Sequence, residues 1–412
     1  MKKINVVVTG LGILNSAGLT VQDSWNKVLS GEATASIDER LKNIDSNISC
    51  PIKGWNAKND IDPSLVWRID KFIQYAVAAS KQALIDAGIN FKDVEKKRIG
   101  VIIGNSLAGI STLELNLLRV LTDGYQASKA SMIPAIMNNM AASQIALTYG
   151  IQGPTLCIST ACASGADAIG LAKQMIESDQ CDIIITGATE APICPLIVSS
   201  FNKLGALSKT LDLKLASRPF DKDRNGFVIS EGAGILILES ETFARRRKAK
   251  IYATVSGYGT ANDAFHATSP SPDGTALKLA IYNALENASI SANDIDSINA
   301  HGTSTVLNDS IESKVIFNIF GSKPIVTSTK GVTGHSLGAT GAIEAIYSIL
   351  SIKYNKIPPI GGLNHIDESI KISIAKNAIN TSNINVVMSN SIGFGGQNST
   401  LIFSAYKEEK ND

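Results

Sequence analysis

The sequence of 412 residues contains no long hydrophobic run and no excess of charge of either sign. Its 38 lysines and arginines balance 37 acidic residues, so no general electrostatic attraction to nucleic acid or to an anionic membrane is expected. No apolar stretch approaches the ~20 residues that a membrane-spanning helix requires. The first residues, MKKINVVVTGLG, are typical of a strand rather than of a leader peptide. We therefore expect a globular protein without a nucleic-acid partner and without membrane insertion.

Cysteine is also scarce. The chain has an odd number of cysteines, widely spaced and without a CxxC pair; they are Cys50, Cys157, Cys162, Cys181 and Cys194. This spacing argues against a disulfide framework and against a structural zinc site. It is typical of a protein in a reducing compartment, and we expect a cytoplasmic location.

Complete nucleotide-binding motifs are missing as well. GLGILNSAG (10–18) lacks the third glycine of a GxGxxG loop, and GVTGHSLGATG (331–341) is not followed by the Gly-Lys-Ser/Thr of a phosphate loop. In both segments the glycines are better explained by close packing of a turn. A nucleotide-binding oxidoreductase therefore stays a minor alternative.

What the chain does have is an alternation of apolar strands and amphipathic helices. Strands are predicted at residues 4–10, 98–106, 181–190, 250–259, 296–305, 323–331 and 383–396, and helices at 70–88, 274–288 and 340–354. Strand, helix and strand in succession indicate a largely parallel α/β sheet covered on both faces. The chain is longer than one ordinary domain, and the charged run ARRRKAK (244–250) lies near its middle. We place a boundary there, between an N-terminal half of residues 1–249 and a C-terminal half of residues 250–412.

The segment TLCISTACASGADAIG (155–170) places one thiol where a strand becomes a helix. Backbone N–H groups and the helix dipole at such a position favour the thiolate and lower the thiol pKa. The small neighbours leave room for a substrate to reach the sulfur. Cys162 is therefore a candidate nucleophile, whereas Cys157, Cys181 and Cys194 are interpreted as small buried hydrophobic residues.

Two of the four histidines lie in similar turns after strands, His301 in NAHGTST and His335 in TGHSLGATG. Because ligands of open α/β sheets bind at the carboxyl ends of strands, we expect both imidazoles near Cys162. Neutral imidazoles there can donate hydrogen bonds to a carbonyl that gains negative charge. A zinc site formed by the cysteine and both histidines is the alternative. Their wide spacing is unlike that of a compact ligand cluster, and we predict no metal.

Four motifs in this order, TACASG, NAHGTST, STKGVTGH and NSIGFGG, carry a resemblance to a known family. The chain resembles the elongating β-ketoacyl–acyl carrier protein synthases of the KAS II kind, in the thiolase superfamily. The resemblance extends over essentially the whole chain and includes VVVTGLG, RPFDKDRNGFV (218–228) and EGAGILILE. It implies a thiolase-like α/β fold, in which two related halves form an αβαβα layered arrangement, and it implies a dimer.

The activity that the resemblance implies is a decarboxylative Claisen condensation. Cys162 would take an acyl group from a thioester, malonyl–acyl carrier protein would lose carbon dioxide, and its enolate would attack the bound acyl group. His301 and His335 would stabilise the enolate oxygen, and the N–H groups of Cys162 and Phe394 would form the oxyanion hole. Acyl carrier protein supplies the substrates on its phosphopantetheine, and no further cofactor is implied. Priming synthases carry Cys-His-Asn and thiolases a second cysteine, so the Cys-His-His set indicates the elongating class.

Further positions match residues that the family keeps around this site. Lys330 and Glu344 match a Lys–Glu pair near the second histidine, and Asp309 and Glu312 match acidic positions after HGTST. For these residues a buried ion-pair network is the alternative. The resemblance also places Thr268, Thr303 and Thr305 along the phosphopantetheine arm, Phe227, Ile392 and Phe394 at the acyl pocket, and Arg68, Lys71 and Lys203 on the surface that meets an acidic carrier protein. An ordinary solvated surface is the alternative for these three basic residues.

The chain departs from the fatty-acid members of the family close to the acyl pocket. Those members often read NSFGFGGTN, whereas this chain has Ile392 in place of the aromatic residue and Gln397 in place of the threonine. Fatty-acid synthesis and type II polyketide or aryl polyene synthesis therefore both stay open, as do a homodimer and a heterodimer with a chain-length factor. A catalytically silent partner is disfavoured, because chain-length factors typically lack the cysteine.

Overall fold

The computed structural model describes residues 4–408. Within that range the strands are β1 Val6–Asn15, β2 Ser36–Ile37, β3 Ile48–Cys50, β4 Ile99–Gly104, β5 Thr155–Ile158, β6 Ile183–Glu190, β7 Ile229–Ser230, β8 Gly232–Ser240, β9 Ala253–Asn262, β10 Ser297–Asn299, β11 Ile325–Thr327, β12 Lys356–Ile357, β13 Ser373–Ile374, β14 Ile379–Asn380, β15 Val386–Gly393 and β16 Gln397–Ser404.

The α-helices of the same range are α1 Val21–Ser30, α2 Pro63–Val66, α3 Lys71–Ala87, α4 Ile110–Asp123, α5 Met132–Ile136, α6 Met140–Tyr149, α7 Ser164–Glu177, α8 Pro195–Lys203, α9 Glu241–Arg246, α10 Thr275–Ala288, α11 Val306–Phe320, α12 Lys330–Thr333 and α13 Thr340–Tyr354. None of the helices that the structure describes is both long enough and apolar enough to cross a membrane.

The main sheet has the strand order β13-β11-β10-β15-β16-β9-β1-β8-β6-β4-β5. In its N-terminal part β4, β5 and β6 are parallel, and β8 pairs antiparallel with both β6 and β1. In its C-terminal part β10, β11 and β15 are parallel, and β16 runs antiparallel between β15 and β9. The two parts meet where β1 pairs with β9 at only two positions, Val7 with Thr254 and Val8 with Ala253. They are therefore two mixed sheets of similar construction that share one short seam.

Helices form the other layers. α3 packs on the outer face of the N-terminal sheet and α10 on the outer face of the C-terminal sheet, whereas α7 and α13 contact strands of both. Residues Thr340 to Ile352 of α13 are all buried, as expected for a helix that is covered on every side. The expected αβαβα thiolase-like arrangement is confirmed.

Two glycines of β1 allow helix α3 to pack closely against the strand. A Cβ atom on Gly10 would lie 2.2 Å from the carbonyl oxygen of Ala83, and one on Gly12 would lie 2.0 Å from that of Ala79. Only glycine lets α3 approach the strand this closely. α3 is preceded by Asp70, whose side chain accepts the N–H of Phe72 as an N-cap, and is followed by the left-handed Gly88.

The predicted elements exist, but several differ in length; β1, for example, continues to Asn15 instead of ending at residue 10. The segments predicted as strands at 296–305 and 323–331 form only the three-residue strands β10 and β11, because the chain turns inward immediately afterwards. The segment 383–396 ends its strand at Gly393 and continues as a short 3₁₀ turn. Because these strands end early, the polar residues that follow them can line a cavity at the strand ends. The boundary between residues 249 and 250 stays a prediction.

Candidate active site

The ends of strands from both halves meet at one cavity of about 390 Å³. Cys162 comes four residues after β5, His301 two residues after β10, and Phe394 directly after β15, while His335 lies two residues beyond α12. All four line the cavity. The other predicted residues that line it are Thr268, Thr303, Thr305, Phe227 and Ile392. The structure therefore brings the predicted nucleophile, both histidines and the predicted substrate-binding residues together.

Cys162 lies in a 3₁₀ turn, Ala161–Ala163, that leads directly into α7. Its sulfur is close to the helix N-terminus, as the sequence predicted. The predicted direction of the pKa is wrong: burial raises the pKa of the Cys162 thiol to about 12, and the charge of Glu190 adds to this. Lys330 and the backbone N–H of Phe394 lower it without compensating. The cause is desolvation, which a sequence pattern does not report. The free protein therefore holds a thiol.

The two imidazoles face each other edge to face. The ring centroids of His301 and His335 are 5.2 Å apart, with an interplanar angle of 84°. Both side chains are buried. Burial, and after it the positive charge of Lys330, hold the pKa of each histidine well below its usual value. Both rings are therefore neutral near pH 7 and can act as hydrogen-bond donors, as the sequence predicted.

His335 is held by its backbone and by its ring. Its N–H donates to the carbonyl of Val228 over 2.8 Å, and its carbonyl accepts from the N–H of Ser230 over 3.0 Å. Its Nδ1 lies 3.0 Å from Oγ1 of Thr340, which also accepts the N–H of Ser336. The Thr340 hydroxyl can donate its hydrogen to Nδ1, and in that tautomer Nε2 is the ring donor. No motif of the sequence indicated Thr340.

Lys330 lies behind the two histidines. Its ammonium donates to the carbonyl oxygen of His301 over 2.5 Å and to Glu344 over 2.6 Å. Burial raises the pKa of Glu344 to about 6, and the adjacent Lys330 lowers it. The predicted Lys–Glu pair is therefore present, and Lys330 fixes the main chain of one histidine, while its charge adds to burial in lowering the pKa of both rings.

The two acidic residues after HGTST bind backbone groups. Glu312 accepts the N–H groups of His301 and Gly302, each over 2.8 Å. Asp309 accepts the N–H of Phe220 over 2.9 Å. Burial raises the pKa of Glu312 to about 7. Both carboxyl groups lie outside the cavity lining, so their contacts correspond to the alternative of a buried polar network.

Phe394 brings a backbone N–H to the sulfur. A Cβ atom on Gly393 would lie 2.8 Å from the carbonyl oxygen of Thr160 and 3.1 Å from the nitrogen of Cys162, so a glycine there lets the two turns touch. The resulting hydrogen bond from Phe394 lowers the pKa of the thiol. The N–H groups of residues 162 and 394 thus lie on the same side of the site.

Aromatic rings and threonines shape the remaining walls. Phe227 packs edge-on against His335 with a centroid distance of 5.2 Å, and Phe201 contacts both Phe227 and Phe394 at 5.4 and 6.1 Å. The hydroxyl groups of Thr303 and Thr305 are 2.9 Å apart. Sequence reasoning missed Phe201, because it lies in α8, outside the motifs, and reaches the site only through the fold.

The predicted carrier-protein residues do not form one cluster. Arg68, Lys71 and Lys203 are all exposed. Arg68 lines a surface pocket of about 140 Å³ together with Arg119 and Lys129, which the sequence analysis did not single out. Lys71 lines a different pocket, and Lys203 ends α8 immediately before Leu204, at the wall of the main cavity.

Nothing in the described part of the chain groups three or more histidine, cysteine, aspartate or glutamate side chains around a possible metal position. The donor set of the cavity, one thiol and two neutral imidazoles beside a buried ammonium, fits acyl transfer through a thioester and stabilisation of an oxyanion.

Two protein-family models match this chain, one in each of its parts. Residues 3–244 match the family model "Beta-ketoacyl synthase, N-terminal domain", and residues 252–364 match "Beta-ketoacyl synthase, C-terminal domain". A similar curated protein is the 3-oxoacyl-[acyl-carrier-protein] synthase 2 of Staphylococcus aureus (strain MRSA252). It is 39% identical over 414 residues, which cover 98% of this chain and 99% of that protein.

Solved structures with the same fold include two ketosynthases. One belongs to AntDE:AntF, a type II PKS acyl-carrier protein in complex with its ketosynthase bound to the hexaketide; its TM-score is 0.91 at 32% identity, with 98% of this chain and 100% of that chain covered. The other is the ishigamide ketosynthase/chain length factor, with a TM-score of 0.93 at 31% identity and the same coverage.

Proposed function

This chain belongs to the β-ketoacyl synthase family, and from that premise we propose that it condenses an acyl thioester with malonyl–acyl carrier protein through Cys162, His301 and His335. The observation that carries the assignment is the shared cavity, in which a thiol at a helix N-terminus and two neutral imidazoles are accessible to one substrate. The product is a β-ketoacyl thioester on the carrier protein.

In the first step the sulfur of Cys162 attacks the carbonyl carbon of the incoming acyl thioester. A new C–S bond forms, the bond to the phosphopantetheine sulfur breaks, and the cysteine proton leaves with the released thiol. The oxyanion accepts hydrogen bonds from the N–H groups of residues 162 and 394. Because burial keeps the cysteine protonated in the free protein, proton loss accompanies attack instead of preceding it.

In the second step the malonyl thioester loses carbon dioxide, and the electron pair of the broken C–C bond becomes an enolate. His301 and His335 donate hydrogen bonds to the enolate oxygen, for which neutral rings with depressed pKa values are suited. The enolate carbon then attacks the acyl group on Cys162, the C–S bond to the cysteine breaks, and the released thiolate takes up a proton from solvent. Thr268, Thr303 and Thr305 line the path of the phosphopantetheine arm, and Phe227, Ile392 and Phe394 surround the acyl group.

The condensation belongs to one of two kinds of pathway, fatty-acid synthesis or type II polyketide or aryl polyene synthesis. The curated relative carries a fatty-acid-type synthase name, whereas both solved neighbours are ketosynthases of type II PKS or chain-length-factor systems. Ile392 lines the cavity where fatty-acid members often have an aromatic ring. Mass spectrometry of the products formed from a panel of acyl–carrier proteins, together with malonyl–acyl carrier protein, identifies the acyl groups that the protein accepts.

We also propose a dimer formed across β5. β5 is an edge of the main sheet, and its Leu156 is 40% exposed. Helix α4 carries exposed leucines at positions 113, 115, 117, 118 and 121. An open strand edge and an exposed apolar helix surface each favour association with another chain. A solution mass twice that of the chain supports a homodimer, and dimer formation only on co-expression with a chain-length-factor homologue supports the heterodimer.

Acyl carrier protein is the proposed substrate-delivering partner. The pocket of Arg68, Arg119 and Lys129 offers three cations to an acidic surface, and Lys71 and Lys203 add positive charge elsewhere. Charge complementarity of this kind raises the association rate. Phosphopantetheine on the carrier protein is the only prosthetic group that the proposal requires. All five cysteines are free thiols, as is usual in a reducing compartment, and we propose a cytoplasmic location.

The reaction itself is tested with the full chain, an acyl–carrier protein and malonyl–carrier protein. The wild-type protein should release carbon dioxide and form β-ketoacyl–carrier protein extended by the malonate-derived carbons, and Cys162→Ala should form no condensation product. Condensation by Cys162→Ala at the wild-type rate would show that another group is the nucleophile.

A further inference from the structure

The turn that presents the nucleophile is strained. Ala161 precedes Cys162 and has a φ of 50°, in the left-handed region that residues other than glycine rarely adopt. Such a conformation persists only where neighbouring groups hold it. Part of that support is Ser164, whose hydroxyl donates to the carbonyl of Ala161 over 2.6 Å and accepts the N–H of Thr160 over 2.9 Å.

A second support comes from a buried carboxylate that neither the sequence motifs nor the reaction steps use. Oδ2 of Asp167 accepts the hydroxyl of Thr160 over 2.5 Å, and its Oδ1 accepts the hydroxyl of Tyr258 over 3.0 Å. Asp167 lies in the first turn of α7 and is only 6% exposed. Burial raises the pKa of this carboxyl, and the hydrogen bonds it accepts lower it.

Tyr258 comes from the other half of the molecule. It lies on β9, and its ring covers Gly170 of α7 so closely that a Cβ atom there would be 2.3 Å from the ring. The hydroxyl of Tyr258 is therefore fixed by packing as well as by its hydrogen bond. The sequence Thr160–Asp167–Tyr258 connects the strained turn of the N-terminal half to a strand of the C-terminal half.

We propose that Asp167 and Tyr258 form a strut that holds the Thr160–Cys162 turn and so orients the sulfur and the N–H of Cys162 for acyl transfer. Both are positioning residues, since Asp167 contacts Thr160, Tyr258 contacts Asp167, and neither lines the cavity. The inference rests on the proposed role of Cys162. A positioning role differs in its kinetic effect from a general contribution to stability. Loss of the strut should slow acyl transfer to Cys162 without changing how the acyl donor binds.

The chain contains a matched control. Tyr252 and Asp86 also connect the C-terminal half with the N-terminal half through a tyrosine–carboxylate hydrogen bond of 2.9 Å, on α3 and away from the cavity. Tyr258→Phe and Tyr252→Phe each remove one hydroxyl and retain the ring. Asp167→Ala removes the strut carboxylate, whereas Asp167→Asn retains one acceptor and gains a donor, so it can bond to both hydroxyl groups.

The test measures the single-turnover rate of Cys162 acylation by an acyl–carrier protein, together with the donor concentration for half-maximal rate. Tyr258→Phe and Asp167→Ala should lower the maximal rate roughly 10- to 100-fold, the loss expected from a small misplacement of a reacting group, with an unchanged half-maximal concentration. Asp167→Asn should recover most of the rate, and Tyr252→Phe should match the wild type. Wild-type rates in Tyr258→Phe and Asp167→Ala, or an equal loss in Tyr252→Phe, would overturn the proposal.

Two further measurements distinguish a failure of the strut proposal from misfolding of a variant and from a failure of the proposed function. If Asp167→Ala does not fold, the acylation rate of Tyr258→Phe tests the strut, because the phenylalanine ring still covers Gly170. If the wild-type protein takes up no acyl group, the proposed function fails, and the strut is then tested by iodoacetamide alkylation of Cys162, which needs no carrier protein. An altered alkylation rate in Tyr258→Phe but not in Tyr252→Phe supports the strut, and equal rates in all three proteins contradict it.

Discussion

Lys330 and Glu344 form an ion pair of 2.6 Å in which both side chains are almost completely buried. The same ammonium donates to the carbonyl of His301, so one cation connects α13 with the turn that carries a histidine. A buried charge that loses its partner is strongly unfavourable. The pair therefore contributes to the fold at the point where the charge of Lys330 also adds to burial in lowering the pKa of both histidines.

Removal of the cation should destabilise the protein. Lys330→Met leaves Glu344 buried without its partner, and we expect the free energy of unfolding in urea to fall by about 3–5 kcal/mol. Lys27→Met is the control, since Lys27 pairs with Glu32 at the surface over the same 2.6 Å and its loss should have little effect. Equal losses for the two variants would show that the buried pair has no special role.

The two histidines should affect the two steps differently. His335→Ala removes a donor to the enolate oxygen, and loss of one oxyanion donor typically slows a reaction by about 100- to 1,000-fold. We expect that loss in carbon dioxide release from malonyl–carrier protein, with a smaller loss in acylation of Cys162. Thr340→Val, which retains the ring and removes its hydroxyl partner, should slow the same step less. A similar loss in both steps would contradict this division.

The buried thiol predicts a specific pH dependence. Because burial raises the pKa of Cys162 to about 12, the thiolate fraction of the free protein rises about tenfold per pH unit at neutral and mildly alkaline pH. Alkylation of Cys162 by iodoacetamide, followed by peptide mass spectrometry, should therefore rise from pH 7 to 9 without a plateau. Free cysteine, with a pKa of about 8.5, should level off and serves as the control. A plateau near pH 7 for Cys162 would show an activated thiolate instead.

The positions of Cys162 and His301 could be predicted from the sequence because both lie in short turns directly after strands, whereas His335, predicted in the same kind of turn, follows the short helix α12 instead. Cys162, His301 and His335 each follow an apolar segment with small residues, and the carboxyl ends of strands converge in this kind of fold. The order of the motifs then indicated the family, which the comparisons confirmed. Local patterns were sufficient where the backbone alone brings residues together.

Properties that depend on packing could not be predicted in this way. The direction of the pKa of Cys162 is set by its burial, which opposes the helix N-terminus. The contacts of Asp167 with Tyr258 join residues 91 positions apart, and no spacing rule connects them. Arg119 similarly joins Arg68 only because α4 folds against the start of α3. Each of these features arises from two segments that are separate in the sequence.

The most direct test of the central claim is the mass of Cys162 itself. The full chain is incubated with an acyl–carrier protein without malonyl substrate, digested, and the peptide that contains residues 155–170 is analysed by mass spectrometry. The account predicts one acyl group on Cys162, which disappears with formation of β-ketoacyl product when malonyl–carrier protein is added. An unmodified Cys162 peptide beside an acyl group on another residue, or condensation without any acyl-enzyme, would contradict it.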